Sequence, residues 1–191
     1  MRCYTCAKLS LPIICKSCKE QLFGTNISTR TVGTLDVISF YKYATLESLL
    51  LSKHTPEGYF IYKALAKMTM EPFIEEFVEA DARVVYIIGV DEYVKNGYAH
   101  VALLTHAMKT KYSIPLHSSL MAKNRVKYAG KNLQFRLENP RNFIYTGKSN
   151  IDVILVDDII TTGITLQEAH KVLIQSGVNI LFALALADVE E

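Results

Sequence analysis

Four aliphatic residues, Val153-Ile154-Leu155-Val156, run straight into two acids, Asp157 and Asp158, then two more aliphatics and Thr161-Thr162-Gly163-Ile164-Thr165. A segment apolar at every position reads as a strand buried on both faces, and such strands belong to parallel sheets covered by helices. The strand is expected over Asp152 to Val156, with the acids at its carboxyl end. A helix follows over Thr165 to Gln175, stopped by Gly177.

The rest of the chain repeats that alternation. Arg83 to Val90 is a second nearly all-apolar strand, and Ala99 to Lys111 is a helix with Val101, Leu104, Met108 and Tyr112 on one stripe, closed by Pro115. Asn179 to Ala187 is a final strand. Earlier, Leu35 to Tyr43 has strand composition, Leu46 to Leu51 is a short apolar turn or helix, and Tyr59 to Met70 is a helix that Pro72 ends or kinks. The fold class is therefore α/β, a parallel sheet flanked by helices, in which ligands bind beyond the carboxyl ends of the strands. At 191 residues, half of them apolar, the chain accommodates one domain with a small appendage.

The chemistry of the loop follows from its position. The first N–H groups of a helix have no intrahelical acceptor, and the helix dipole adds partial positive charge, so a phosphate fits there. Gly163 permits close backbone approach, and Thr161, Thr162 and Thr165 add hydroxyl donors. Asp157 and Asp158 accept hydrogen bonds when ionised and so suit sugar hydroxyls. A sugar phosphate satisfies both halves. No lysine follows the glycine, so this is not a Walker-type loop. The competing reading is a plain turn in which the acids cap a helix.

All four cysteines lie within the first 18 residues, as Cys3-x-x-Cys6 and Cys15-x-x-Cys18. Two such knuckles complete a tetrahedral thiolate site for a cation such as zinc. Leu9, Leu11, Pro12, Ile13 and Ile14 fill the spacer and are apolar enough to fold back on the knuckles or dock on the main domain. The expected division is a zinc-binding motif over 1–24 and the α/β domain over 25–191. The motif reads as a structural clip or as a nucleic-acid-binding finger, the latter kept open by Lys8, Lys16 and Lys19; a redox pair is the third reading.

A formal net charge of +2 does not argue for nucleic-acid binding by the whole chain. Locally the balance shifts: Lys123, Arg125, Lys127, Lys131, Arg136, Arg141 and Lys148 meet only one acid, Glu138, and Tyr128, Phe135, Phe143 and Tyr145 are interleaved with them. Gly130 and Pro140 argue against one continuous helix. Such a stretch tracks a phosphate backbone while its rings stack on bases, or serves as a mobile basic active-site loop, or is a solvated face. The opening residues lack an export pattern and the longest apolar run is too short for a membrane span, so the expectation is a cytoplasmic protein without a transmembrane segment.

The run from Val153 to Thr165 resembles the signature of type I phosphoribosyltransferases. That resemblance implies that Asp157 and Asp158 contact ribose hydroxyls, that Thr161, Thr162, Gly163, Ile164 and Thr165 hold the 5-phosphate of phosphoribosyl pyrophosphate, and that magnesium bridges its pyrophosphate and ribose oxygens. It also implies a pyrophosphate loop at Val90-Asp91-Glu92-Tyr93. With the four-cysteine knuckle in front, the whole chain resembles the ComF (ComFC) competence family, through Lys53 near a helix start, Gly97-Tyr98, Arg136-Leu-Glu-Asn139 and Phe143. It departs from that family at Gly89-Val90-Asp91, where Pro-Val-Pro is usual, and at Ala99-His100, where Asn-Gln is usual. His100 reads either as a helix-surface histidine or as a catalytic one.

What the ComF resemblance implies is a role in natural transformation, with incoming single-stranded DNA handled in the cytosol beside other DNA-uptake proteins at the inner membrane. Lys123, Arg125, Lys127 and Lys131 are the candidate DNA contacts. The alternative is an active phosphoribosyltransferase of nucleotide or small-amine metabolism.

Overall fold

The computed structural model describes residues 1–22, 27–80, 83–91, 93–94, 97–128 and 130–189. After helix α1 (Lys16–Leu22), a hairpin of β1 (Ser28–Val32) and β2 (Leu35–Lys42) leads into α2 (Tyr43–Leu51), a 3-10 turn (Ser52–His54), α3 (Gly58–Met68) and α4 (Met70–Ala80). Then come β3 (Val85–Gly89), α5 (His100–Ala107), β4 (Ser113–Pro115), β5 (Leu120–Ala122), α6 (Leu133–Glu138), β6 (Phe143–Tyr145), β7 (Asp152–Ile160), α7 (Ile164–Gln175) and β8 (Asn179–Asp188). No helix among the described residues is long and apolar enough to cross a membrane.

The main sheet has the order β1-β2-β8-β7-β3-β4, parallel throughout except for the β1–β2 hairpin. Side chains alternate across a strand, and the two faces of this sheet bury two different clusters. Ile154 and Val156 of β7, with Val85 and Ile87 of β3, join the cluster under α2 to α5. Val153 and Leu155 of β7, with Ile88 and Val90, join the cluster under α7. Here α7 contributes Leu166, Ala169 and Leu173, spaced to form one stripe.

Two crossovers diverge from the centre of this sheet. β7 passes through α7 to β8 on one side, and β3 passes through α5 to β4 on the other, with the two helices on opposite faces. Between β7 and β3 the chain thus opens a crevice at the strands' carboxyl ends, the place where open α/β sheets take ligands. Val90 donates to the carbonyl of Val156 at 2.8 Å and closes the ladder at that edge.

Several sequence expectations are corrected. Helix α3 breaks at Thr69, and Pro72 lies in the first turn of a further helix, α4, where its missing N–H has no partner to lose. The helix expected to reach Lys111 ends at Ala107, and Pro115 belongs to β4, an edge strand that tolerates proline. β7 does not stop at Val156: it carries both acids within the ladder, where Ile159 and Ile160 still pair with Ala187 and Asp188 of β8. Strand β1 and the small β5–β6 hairpin are additional.

The amino-terminal segment docks on the main body. Cys3, Ile14, Cys18 and Leu22 share one buried cluster with Phe40, Leu46 and Leu65, while Leu9 and Leu11 remain exposed. The expected boundary between 24 and 25 lies outside the described residues.

Candidate functional site

Residues Thr161, Thr162 and Gly163 form the short loop that links β7 to α7. Gly163 is the helix N-cap, with φ of 75° and no side chain to cap the helix. A Cβ there would stand 2.3 Å from Cγ1 of Val32, so glycine is required by its conformation and by the β1 side chain packed on it. The loop's carbonyl at Thr161 accepts from the Arg30 guanidinium, its hydroxyl accepts from Arg136, and Arg30 is anchored to Asp188 at 2.8 Å. The Thr162 hydroxyl oxygen is buried and has no protein partner. Ile164 and Thr165, half-buried, open the helix. Two guanidiniums, an unsatisfied hydroxyl and a helix N-terminus without a side-chain cap thus meet at one loop, an arrangement that attracts an anion.

The two acids have different surroundings. Asp158 is buried, and its Oδ2 accepts from Lys53 Nζ at 2.7 Å and Tyr62 Oη at 3.0 Å, with His100 Nε2 at 3.4 Å. Although burial raises its pKa, Lys53 and then His100 more than offset that, and the carboxyl titrates below the ordinary range. Asp157 is half-buried, and its Oδ1 accepts the Asp158 N–H at 2.8 Å. Burial, followed by the neighbouring Asp158 charge, pushes its pKa up. Lys53 and Tyr62 have their own pKa values raised, Lys53 through the Asp158 charge against an opposing burial effect, Tyr62 through burial first and then that charge. His100 is pushed down by burial. It is not a helix-surface histidine: at the start of α5 it faces Asp158, its ring edge-on to Tyr62 at 5.5 Å.

Of the expected pyrophosphate loop, Val90 is buried at the end of β3 and Tyr93 is exposed, while Glu92 lies outside the described residues. Asp91 has φ of 53°, and its carboxylate is committed: Oδ1 accepts from the Ala122 N–H at 3.0 Å and Oδ2 from Arg141 at 3.0 Å. Among the described residues at this edge, Asp157 is therefore the carboxylate that pairs with no cation.

The basic segment forms an arm between β5 and β6 and includes α6, whose N-cap Asn132 accepts from the Phe135 N–H at 2.9 Å. Tyr128 is buried in the arm between two guanidiniums, Arg141 at 4.8 Å and Arg136 at 5.4 Å from its ring, and donates to the Asn139 carbonyl at 2.7 Å. Through Arg136 the arm reaches Thr161, and Glu168 of α7 holds its far end by accepting the Arg141 N–H at 3.0 Å. Lys123, Arg125, Lys127 and Lys131 are exposed; Arg125 lies over Tyr93 at 4.2 Å and Lys131 over Phe135 at 5.0 Å.

At the amino terminus the four cysteine sulfurs lie within 4.8 Å of one another. Cys6 and Cys15 sulfurs are 3.7 Å apart, and a tetrahedron with metal–sulfur bonds of about 2.3 Å has edges of about 3.8 Å. The Cys15 N–H donates to Cys3 Sγ at 3.3 Å, which orients that sulfur toward the other three. All four are free thiols, so the geometry fits a four-cysteine metal site.

No family model matches this chain, and no curated protein matches it in sequence. Similar solved structures are phosphoribosyltransferases. Adenine phosphoribosyltransferase from Saccharomyces cerevisiae is 15% identical, with 90% of this chain and 88% of that one covered and a TM-score of 0.45. The enzyme from Leishmania tarentolae is 15% identical over 89% and 87%, with a TM-score of 0.41. A hypoxanthine phosphoribosyltransferase from Staphylococcus aureus is 17% identical over 66% and 62%, with a TM-score of 0.38. At such identities and scores, the site stands on its own residues.

Sequence reasoning missed Arg30 and Tyr62 as site residues and gave Lys53 no role. Each reaches the acids or the loop from far along the chain: 131 residues for Arg30 to Thr161, 96 for Tyr62 and 105 for Lys53 to Asp158. The local sequence gives little hint of this: Arg30 lies between Thr29 and Thr31 and Lys53 between Ser52 and His54, and only Tyr62 follows an apolar pair, Phe60-Ile61.

Proposed function

We propose that this chain binds phosphoribosyl pyrophosphate in the crevice between β7 and β3 and acts in natural transformation, as its resemblance to the ComF family implies. One observation carries the ligand reading: an anion-attracting loop, flanked by Arg30 and Arg136, directly follows a strand whose acid Asp157 has no cationic partner. A phosphate on the loop leaves the sugar hydroxyls of the same molecule to Asp157. Magnesium belongs with this ligand, since the ion is characteristically held by one or two carboxylates together with phosphate oxygens, and Asp157 supplies the carboxylate. Zinc belongs at Cys3, Cys6, Cys15 and Cys18, as a structural ion.

Single-stranded DNA is the proposed partner of the arm through Lys123, Arg125, Lys127 and Lys131, in the cytoplasm and peripherally at the inner membrane beside other DNA-uptake proteins. Thermal melting tests the ligand: phosphoribosyl pyrophosphate with magnesium raises the midpoint of the unaltered protein and leaves an Asp157→Ala, Asp158→Ala variant unmoved. Equal shifts in both would remove the site. Release of pyrophosphate with any acceptor from a panel of nucleobases and small amines would move the assignment to an active phosphoribosyltransferase.

A further inference from the structure

The arm between β5 and β6 stands on a small base. The two strands pair at Leu120 with Tyr145, Met121 with Ile144 and Ala122 with Phe143, and this two-stranded ladder is separate from the main sheet. A ribbon that short is marginal without further support. Residues 123–142 nonetheless extend from it to the phosphate loop, where the Arg136 guanidinium donates to the Thr161 hydroxyl. The direction of the arm must therefore be fixed at its roots.

Asp91 is placed to do this. Two residues past the end of β3, it takes a left-handed φ of 53°, a conformation that aspartate and asparagine tolerate better than most side chains. Its N–H donates to the Leu120 carbonyl at 3.3 Å, and its Oδ1 accepts from the N–H of Ala122, the last residue of β5, at 3.0 Å. Its Oδ2 accepts from Arg141, two residues before β6, at 3.0 Å. One carboxylate thus bridges the strand on which the arm leaves and the segment on which it returns. The side chains of Arg141 and Asp91 are 20% and 21% exposed, so this pair is better shielded than an ordinary surface ion pair.

Glu168 completes the seat from α7, accepting the Arg141 N–H at 3.0 Å and the Asn142 N–H at 2.5 Å. From Arg141 the contacts continue outward. Its guanidinium lies 4.8 Å from the Tyr128 ring, which Arg136 approaches at 5.4 Å on its way to Thr161.

We infer that Asp91 is a positioning residue, whose carboxylate clamps both roots of the arm and so delivers Arg136 to the phosphate loop. This role is distinct from direct contact with pyrophosphate or magnesium, because both carboxylate oxygens already accept from the arm. The effect on ligand affinity rests on the phosphoribosyl reading; the clamp itself does not.

The test compares the full-length, zinc-loaded protein with Asp91→Asn, which keeps the tolerance for the left-handed turn and an oxygen for the Ala122 N–H but removes the charge facing Arg141. Amide hydrogen exchange over residues 123–142, read by mass spectrometry without ligand, is expected to speed up at least about tenfold, as loss of a charge-assisted hydrogen bond requires. Exchange in β7 and β8 stays unchanged. Arg141→Met has at least the same effect, since it also leaves the Tyr128 ring, and the double variant goes no further than Arg141→Met alone. On the same samples Asp91→Asn is expected to bind phosphoribosyl pyrophosphate at least about threefold more weakly, with the enhancement by magnesium intact.

Unchanged exchange in Asp91→Asn would overturn the inference, as would strict additivity of the two substitutions. Loss of the magnesium enhancement with the arm unmoved would do the same and make Asp91 a ligand of the metal or the pyrophosphate. Faster exchange with unchanged ligand affinity would refute the delivery of Arg136. Faster exchange in a protein that takes up no phosphoribosyl pyrophosphate in any form would keep the clamp and remove the ligand reading.

Discussion

Lys53 Nζ lies 2.7 Å from Oδ2 of Asp158, joining the turn after α2 to the central strand across 105 residues of sequence. Both side chains are largely buried, 21% and 8% exposed. With Tyr62 and His100 also directed at this carboxylate, Asp158 is held by the protein, whereas Asp157 pairs with no cation among the described residues.

Removing one partner leaves a buried charge uncompensated. Lys53→Met is expected to destabilise the fold by about 3 kcal/mol, with Asp158→Asn costing a similar amount and the double variant less than the sum. Urea denaturation of the four proteins checks this; strictly additive losses would show that the pair is not coupled.

Protonation of this cluster gives stability a definite pH dependence. His100 has a folded pKa below its ordinary value of about 6.5, so the unfolded chain binds the extra proton first, and stability is lost as pH falls below about 6.5. Asp158, also depressed, contributes stability that is present above its unfolded value of about 3.9 and lost as pH falls toward its folded pKa. Asp157, raised, does the opposite, losing stability as pH rises from about 3.9 through its folded pKa. Chemical denaturation between pH 5 and pH 7, about the range over which free histidine titrates, is expected to show a smaller loss toward acid for His100→Asn than for the unaltered protein. Equal losses would remove His100 from the cluster.

Glycines of similar backbone conformation should differ in cost. At Gly163, alanine meets both φ of 75° and Val32 at 2.3 Å, and about 2 to 4 kcal/mol is expected. At Gly130, φ is 71° and nothing lies within 4 Å of the added carbon, so only the backbone cost of about 1 to 2 kcal/mol applies. Melting midpoints rank the two variants, and Val32→Ala should relieve part of the first cost and none of the second.

The cysteine knuckle shares its core with the main body through Cys3, Ile14 and Cys18, so metal loss should be felt beyond residue 22. The protein is expected to carry one zinc, and Cys15→Ser, Cys18→Ser to carry almost none and melt at a lower temperature. Equal zinc in both proteins would refute the site.

Much of this architecture was legible where the signal is local. The apolar runs that build β3 and the first half of β7, and the helix α7 with its Gly177 stop, whose φ is 77°, follow from hydrophobic patterning and turn chemistry. β4 was hidden because three residues ending in a proline resemble a helix terminus, and its strand character comes from pairing with β3. α4 was hidden because a proline in a first turn resembles a proline that ends a helix. The loop and acids stood out as a contiguous run, whereas Arg30, Lys53 and Tyr62 join them only through the sheet order and helix packing. Tyr128 was visible as one aromatic in a basic stretch, but its place between Arg136 and Arg141 depends on how the arm folds back on α7.

The most direct measurement is a calorimetric titration of phosphoribosyl pyrophosphate, with and without magnesium, into the unaltered protein and into Asp157→Ala and Thr162→Val variants. Saturable, magnesium-enhanced heat in the unaltered protein is expected, abolished by Asp157→Ala and weakened at least about fivefold by Thr162→Val through the lost hydroxyl contact. No heat in the unaltered protein, or full heat in the Asp157→Ala variant, would contradict the assignment of the crevice.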